Sequence, residues 1–76
     1  MFNSIRGKVI EIGFRSLTIE NQGLGYEVLV ADPKSFSLNQ EVFLYLHHHI
    51  SEDNQFLVGL SSKDEKSAFK LLLNYF

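Results

Sequence analysis

Three consecutive histidines, His47, His48 and His49, are the residues of this chain whose type most directly suggests chemistry. Imidazole is a common zinc ligand, so a run of histidines can indicate a metal site. Adjacent residues of a strand point to opposite faces, however, and these three rings could not converge on one ion without distorting the backbone. The chain also has no cysteine to complete such a site. We therefore predict neither a metal site nor a cofactor.

A pair of adjacent carboxylates, Glu52 and Asp53, lies in a short polar segment between two apolar runs. Polar residues in that position are typical of an exposed turn between strands. The chain offers no combination of nucleophile, base and orienting group that would support catalysis. The residues by themselves therefore indicate a solvated turn in a protein that is not an enzyme.

Four basic residues are candidates for contact with a nucleic-acid backbone, because lysine and arginine position phosphates without reading bases. They are Arg6, Lys8, Arg15 and Lys34, of which Arg6 and Lys8 should share one face of the first run. The alternative is that all four are solvated strand edges. The formal net charge of −2 disfavours tight DNA binding by this chain alone, since DNA-binding domains usually carry excess positive charge.

Five aromatic residues allow two interpretations, a base-stacking platform or packing in a core. They are Phe14, Tyr26, Phe43, Tyr45 and Phe56. The alternation of apolar and polar positions favours the core for most of them. Gly23 and Gly25 could suggest a phosphate-binding loop, but no Lys-Ser or Lys-Thr follows them, and they predict a tight turn instead.

The elements that must position these residues are short apolar runs separated by polar or glycine-containing segments, a pattern typical of a small all-β barrel. The runs cover residues 5–12, 16–20, 26–30, 41–50 and 55–60, and they predict five to six antiparallel strands. The apolar phase of the first run changes near Val9 and Ile10, which predicts a bulged strand. The fourth run is apolar on both faces, so one face should pack in the barrel and the other against a helix or another subunit.

The hydrophobic period changes to that of a helix after the last run. Residues 62–65 match a capping box, and apolar residues then recur at helical spacing to the end of the chain. We predict one domain, with a barrel over residues 1–61 and a C-terminal helix over residues 62–76, whose apolar end indicates a longer parent protein. Because no apolar segment has the length of a membrane span, we expect a soluble, cytoplasmic protein.

Several segments resemble, in the same order, the first domain of the RuvA family. Residues 5–7 (Ile-Arg-Gly) are similar to the start of that domain, and residues 23–28 resemble its G-x-G-Y-x-V hairpin. Residues 51–60 resemble its acidic turn and final strand, and residues 63–73 resemble the helix that follows. The set spans essentially the whole chain. One departure is Ser51, where members of the family usually carry a basic residue.

The resemblance implies an oligonucleotide-binding (OB) barrel in a non-catalytic subunit that binds four-way DNA junctions. It also implies a homotetramer that recruits the RuvB branch-migration motor. Glu52 and Asp53 match the family's acidic pin, which faces the open centre of the junction and keeps the strands separated. The helix-hairpin-helix domain, which makes the strongest DNA contacts in the family, and the RuvB-binding domain are not in this sequence.

Two other functions stay open at this point. The domain could mainly supply oligomer contacts and spacing, while DNA affinity resides elsewhere. It could also be an unrelated OB domain that binds single-stranded nucleic acid.

Overall fold

Five strands and one α-helix make up most of the part of the chain that the structure describes. The computed structural model describes the backbone of residues 3–75 and the side chains of residues 3–69. The elements are β1 (Ser4–Ile12), β2 (Ser16–Asn21), β3 (Leu24–Leu29), a 3₁₀ turn (Pro33–Ser35), β4 (Glu41–Ile50), β5 (Gln55–Leu60) and α1 (Lys63–Tyr75). The strands close into a barrel in the order β1-β2-β3-β5-β4. The predicted mainly-β, OB-like barrel followed by a helix is thereby confirmed.

The barrel departs from the prediction in the direction of one strand pair. β3 and β5 run parallel, with Val28 opposite Leu57 and Leu29 opposite Val58. The other four pairs are antiparallel. Strand direction cannot alternate at every neighbour in a closed ring with an odd number of members. The prediction that all strands are antiparallel was therefore wrong for a closed five-stranded barrel, which must contain at least one parallel pair.

The core is built from aliphatic side chains that alternate inward along the strands. Val9, Leu17, Ile19 and Val28 are completely buried. The pairing of β1 with β2 shifts register between Val9 and Glu11, so the predicted bulge is confirmed. This bulge bends β1 and lets it pair with β2 along one edge and with β4 along the other.

Most of the aromatic residues lie outside this core, which corrects the sequence prediction. Phe14 is 88% exposed, Phe43 is 43% exposed, Phe56 is 38% exposed and Tyr45 is half-buried. Tyr26 is the exception, because it lies opposite the buried Ile19 and packs against the core as predicted. In β4 both faces are apolar, and the inward positions are taken by the aliphatic residues that alternate with Phe43 and Tyr45. The inside of a small barrel is filled by such side chains, which leaves the larger rings on the outer face.

Helix α1 begins where the capping box predicted. Ser62 Oγ accepts a hydrogen bond of 3.1 Å from the backbone N–H of Glu65, which satisfies one free donor of the first turn. The Glu65 carboxylate accepts a bond of 3.3 Å from the N–H of Ser61, one residue before the capping residue. The helix lies against the outer faces of β4 and β5. No helix in the described range 3–75 has the length and hydrophobicity to cross a membrane.

Candidate nucleic-acid interface

The tip of the β4–β5 hairpin extends beyond the rest of the barrel. Among residues 3–75, β1 pairs with β4 as far as Tyr45, one further backbone bond joins the N–H of Leu46 to the carbonyl oxygen of Asn3, and β3 pairs with β5 only at Leu57 and Val58. β4 and β5 continue to pair with each other out to Ile50 and Gln55. Within the part of the chain that the structure describes, residues 49–56, called the projecting hairpin below, therefore have only each other as strand partners. At about 3.3 Å per residue, the hairpin places its turn roughly 10 Å beyond the barrel.

The turn of this hairpin, residues 51–54, is closed by a local set of hydrogen bonds and is called the acidic turn below. The N–H of Ser51 donates to the carbonyl oxygen of Asn54 at 2.7 Å, and Ser51 Oγ donates to the same oxygen at 3.0 Å. The N–H of Asn54 in turn lies 3.2 Å from Ser51 Oγ. Ser51 thus has a structural role in closing the turn.

Glu52 and Asp53 occupy the apex of the acidic turn, and both are exposed. Among residues 3–69, no side chain or backbone N–H bonds to either carboxylate. Two negative charges therefore stand together at the outermost point of the hairpin. They can act on any charged molecule that approaches this end of the barrel.

The four basic residues singled out from the sequence do not form one patch. Arg6 lies on the outer face of β1, toward the end of the barrel that carries the acidic turn. Lys8 is also exposed on β1, but it stands opposite Glu20 on one side and Glu41 on the other. Residues directly opposite on neighbouring strands share a face, so two glutamates lie next to Lys8 on the outer face. Arg6 is therefore the stronger candidate for phosphate contact.

Arg15 and Lys34 lie at the opposite end of the barrel. Arg15 belongs to the loop between β1 and β2, and its guanidinium lies 5.8 Å from the centre of the exposed Phe14 ring. Lys34 is in the 3₁₀ turn of the segment between β3 and β4. Backbone hydrogen bonds join that segment to Val9 in the second half of β1. These two residues are thus separated from the acidic turn by the length of the barrel.

The outer face of the β1–β2–β3 sheet carries more acidic than basic residues. Glu11, Glu20 and Glu27 lie on this face, where Thr18 Oγ is 3.4 Å from Glu11 and Ser16 Oγ is 3.1 Å from Glu27. Proteins that bind single strands combine a positively charged groove with exposed aromatic rings. A face that carries three carboxylates disfavours the alternative of an unrelated single-strand binder that uses this sheet.

The three histidines are divided between the two faces of β4, as the alternation predicted. His48 lies on one face, with its Nε2 3.1 Å from the side-chain oxygen of Gln55. His47 and His49 share the other face, with ring centres 6.3 Å apart. Among the residues that the structure describes, no group of three histidine, cysteine, aspartate or glutamate side chains is placed to hold a metal ion.

Aromatic contacts of His47 and His49 were missed by reasoning from the sequence. The His49 ring stacks on Phe56 with centres 4.7 Å apart, and the His47 ring meets Phe69 of α1 edge-on at 5.3 Å. The available signal was the hairpin register, because a turn at residues 51–54 places position 49 opposite position 56. An apolar groove of about 520 Å³ lies beside these rings, between β5 and α1.

A closed five-stranded barrel, a helix after the last strand and a projecting acidic hairpin define an OB-like domain with a specialised β4–β5 tip. Comparison with known protein families matches residues 1–59 to the RuvA N terminal domain. The chain belongs to this family.

Curated relatives include the Holliday junction branch migration complex subunit RuvA from Streptococcus equi subsp. zooepidemicus, which is 41% identical over 97% of this chain. The subunit of the same name from Streptococcus thermophilus is also 41% identical over 97% of the chain. The chain spans 38% and 39% of the length of these two relatives, respectively.

Proposed function

We propose that this domain is part of a non-catalytic DNA-binding subunit that holds a four-way DNA junction within a homotetramer. In this role Glu52 and Asp53 form an acidic pin at the crossover during branch migration driven by the RuvB motor. Contacts with RuvB are assigned to the part of the RuvA relatives that this chain does not span. Family membership and the 41% identity to branch migration subunits support the proposal.

The observation that carries the proposal is the position of the two carboxylates on a hairpin that extends past the barrel. Carboxylates repel phosphates, and two charges at about 4 Å interact by roughly 1 to 4 kcal/mol across effective dielectric constants of 80 to 20. Copies of the pair brought together by a tetramer would add to this repulsion. The effect acts only over short distances, because the Debye length is about 8 Å at physiological ionic strength. The pin would thus act on strands at the crossover and leave the distant arms unaffected.

The basic residues are proposed as contacts to the DNA backbone, with Arg6 first among them. Arg6 is exposed on the same half of the barrel as the projecting hairpin, so it would reach phosphates close to the crossover. Lys8, Arg15 and Lys34 would make weaker or more distant contacts. Arg15 and Lys34 lie at the far end of the barrel and would meet a DNA arm away from the crossover.

A spacer domain that supplies oligomer contacts is the second candidate function. The net charge of −2 and the carboxylates on the β1–β2–β3 face favour it, because both oppose close approach of phosphates. The two functions differ in whether the acidic turn meets DNA at all.

Site-specific photo-crosslinking in the full-length subunit separates the two functions. A photoreactive phenylalanine analogue is placed at position 53 and, in a second protein, at position 34. On a synthetic four-way junction, position 53 should crosslink to nucleotides at the crossover, and position 34 should crosslink only to arm nucleotides. Absence of crosslinks from position 53 on a bound junction would support the spacer function and contradict the pin.

A further inference from the structure

Four aromatic side chains form a continuous line from helix α1 to the projecting hairpin. Phe69 of α1 meets His47 at 5.3 Å, His47 lies 6.3 Å from His49, and His49 stacks on Phe56 at 4.7 Å. The planes of the last two rings differ by only 24°. We call Phe69, His47, His49 and Phe56 the ring ladder.

We propose that the ring ladder positions the acidic turn, so that α1 acts as a buttress for the projecting hairpin. The functional meaning of this role rests on the proposed function, since the buttress matters to DNA only if Glu52 and Asp53 meet a junction. The mechanical part of the inference concerns this chain alone and can be tested without DNA.

The hairpin needs such support because the barrel does not reach it. An isolated two-stranded hairpin is at best marginally stable in water, and among the described residues strand pairing to β1 and β3 stops before residue 49. Ile50 is 69% exposed at the tip and packs little. The bonds within the acidic turn fix the shape of the tip but do not orient it relative to the barrel.

The ring ladder connects the projecting hairpin to helix α1 and to the stretch of β5 that pairs with β3. His47 and Val58 face each other at the level where β5 still pairs with β3 through Val58. Phe69 approaches from α1, which packs on both β4 and β5 and whose start is fixed by the Ser62 cap. Stacked and edge-on ring pairs at these separations are favourable beyond the area that they bury. The rings of His49 and Phe56 therefore extend this supported surface outward, to within two residues of the acidic turn.

The inference makes Phe69, His47, His49 and Phe56 positioning residues, with no expected contact to DNA. Removal of a ring should loosen the hairpin and leave the charge of the acidic turn unchanged. An aromatic replacement should retain the function of the ring, whereas an aliphatic truncation should not.

The experiment measures the distance between two spin labels in the 76-residue chain, which has no cysteine of its own. Cysteines introduced by Asn54→Cys and Lys8→Cys place one label on the acidic turn and one on β1.

Phe69→Ala and His49→Ala are compared with His49→Phe, which keeps a ring, and with Phe14→Ala, which removes an exposed ring at the other end of the barrel. We expect the distance distribution to broaden about twofold in the two truncated ladder variants, because the hairpin becomes a low-stability segment. We expect no change in His49→Phe and Phe14→Ala.

An unchanged distribution in folded Phe69→Ala and His49→Ala would overturn the inference, as would equal broadening in Phe14→Ala. If Phe69→Ala does not fold, His49→Ala and its comparison with His49→Phe decide the outcome. A narrow distribution in every variant would refute the buttress but leave the acidic pin intact. Broadening in Phe69→Ala and His49→Ala but not in His49→Phe or Phe14→Ala, together with absent crosslinks from position 53, would confirm the buttress and refute the pin.

Discussion

The guanidinium of Arg6 lies 5.5 Å from the centre of the Phe43 ring, on the outer face shared by β1 and β4. Phe43 itself packs edge-on against Tyr45, with ring centres 5.1 Å apart. A guanidinium held over an aromatic face keeps its charge and can still donate hydrogen bonds to a phosphate. Arg6 thus keeps an exposed charge beside the Phe43 ring, whereas the two glutamates opposite Lys8 reduce the positive potential there.

From this difference we predict that Arg6→Ala in the full-length subunit weakens junction binding uniformly across DNA sequences. If one phosphate contact is lost, the negative slope of log affinity against log salt concentration should decrease in magnitude by about one. Lys8→Ala is the matched control and should change the affinity and the slope less. Fluorescence anisotropy titrations at several salt concentrations measure both quantities. A larger effect of Lys8→Ala would contradict the ranking of the two residues.

A second prediction concerns the close approach of β1 and β2 at Gly7. A methyl group at this position would collide with the backbone oxygen of Glu20, which cannot move without disturbing the strand pairing. We expect Gly7→Ala to lower the free energy of unfolding by roughly 1–3 kcal/mol, the usual range for overpacking. Gly25→Ala is the control, because its added carbon would lie 3.3 Å from a methyl group of Thr18. Urea denaturation of both variants gives the comparison, and equal stabilities would be evidence against tight packing at Gly7.

The start of α1 gives a third prediction. Ser62→Ala removes the hydroxyl that accepts the N–H of Glu65, and loss of such a cap costs about 1 kcal/mol. Ser67→Ala also removes a serine hydroxyl, but from an exposed position inside the helix and not from its cap. This change should leave the stability unchanged or raise it slightly. Thermal unfolding followed by circular dichroism reports both changes. Equal melting temperatures for the two variants would show that the cap contributes nothing measurable.

Much of the local structure could be predicted from the sequence because it depends on residues that are neighbours in the chain. The bounds of β4 and β5 coincide with the fourth and fifth apolar runs, since polar residues at 51–54 interrupt the pattern sharply. The bulge after Val9 and the helix start after Ser62 likewise depend on local phase and capping. For the same reason, the acidic turn could be predicted as a turn from the sequence.

The failures of prediction concern contacts between distant parts of the chain. The parallel pairing of β3 with β5 follows from barrel closure, which no single segment encodes. Phe43 lies on a strand that is apolar on both faces, so periodicity could not tell which face is inside. The glutamates beside Lys8 and the contact of His47 with Phe69 depend on register and helix packing, which became visible only in the assembled fold.

The most direct test of the proposed function neutralises the acidic turn by Glu52→Gln with Asp53→Asn in the full-length subunit. Both side chains keep nearly the same size, and both are exposed, so stability should change by no more than about 0.5 kcal/mol. The matched control is Glu27→Gln with Asp32→Asn, which removes the same two charges from exposed positions away from the hairpin.

The deciding measurement is the rate of RuvB-driven branch migration at low and moderate salt, together with the affinity for a four-way junction. We predict that the protein with the neutralised turn binds the junction equally well or more tightly and that the rate of branch migration changes, with a larger change at low salt. The control should migrate like the unaltered protein. An unchanged rate at both salt concentrations, with the fold and junction binding intact, would contradict the pin and leave Glu52 and Asp53 as ordinary turn residues.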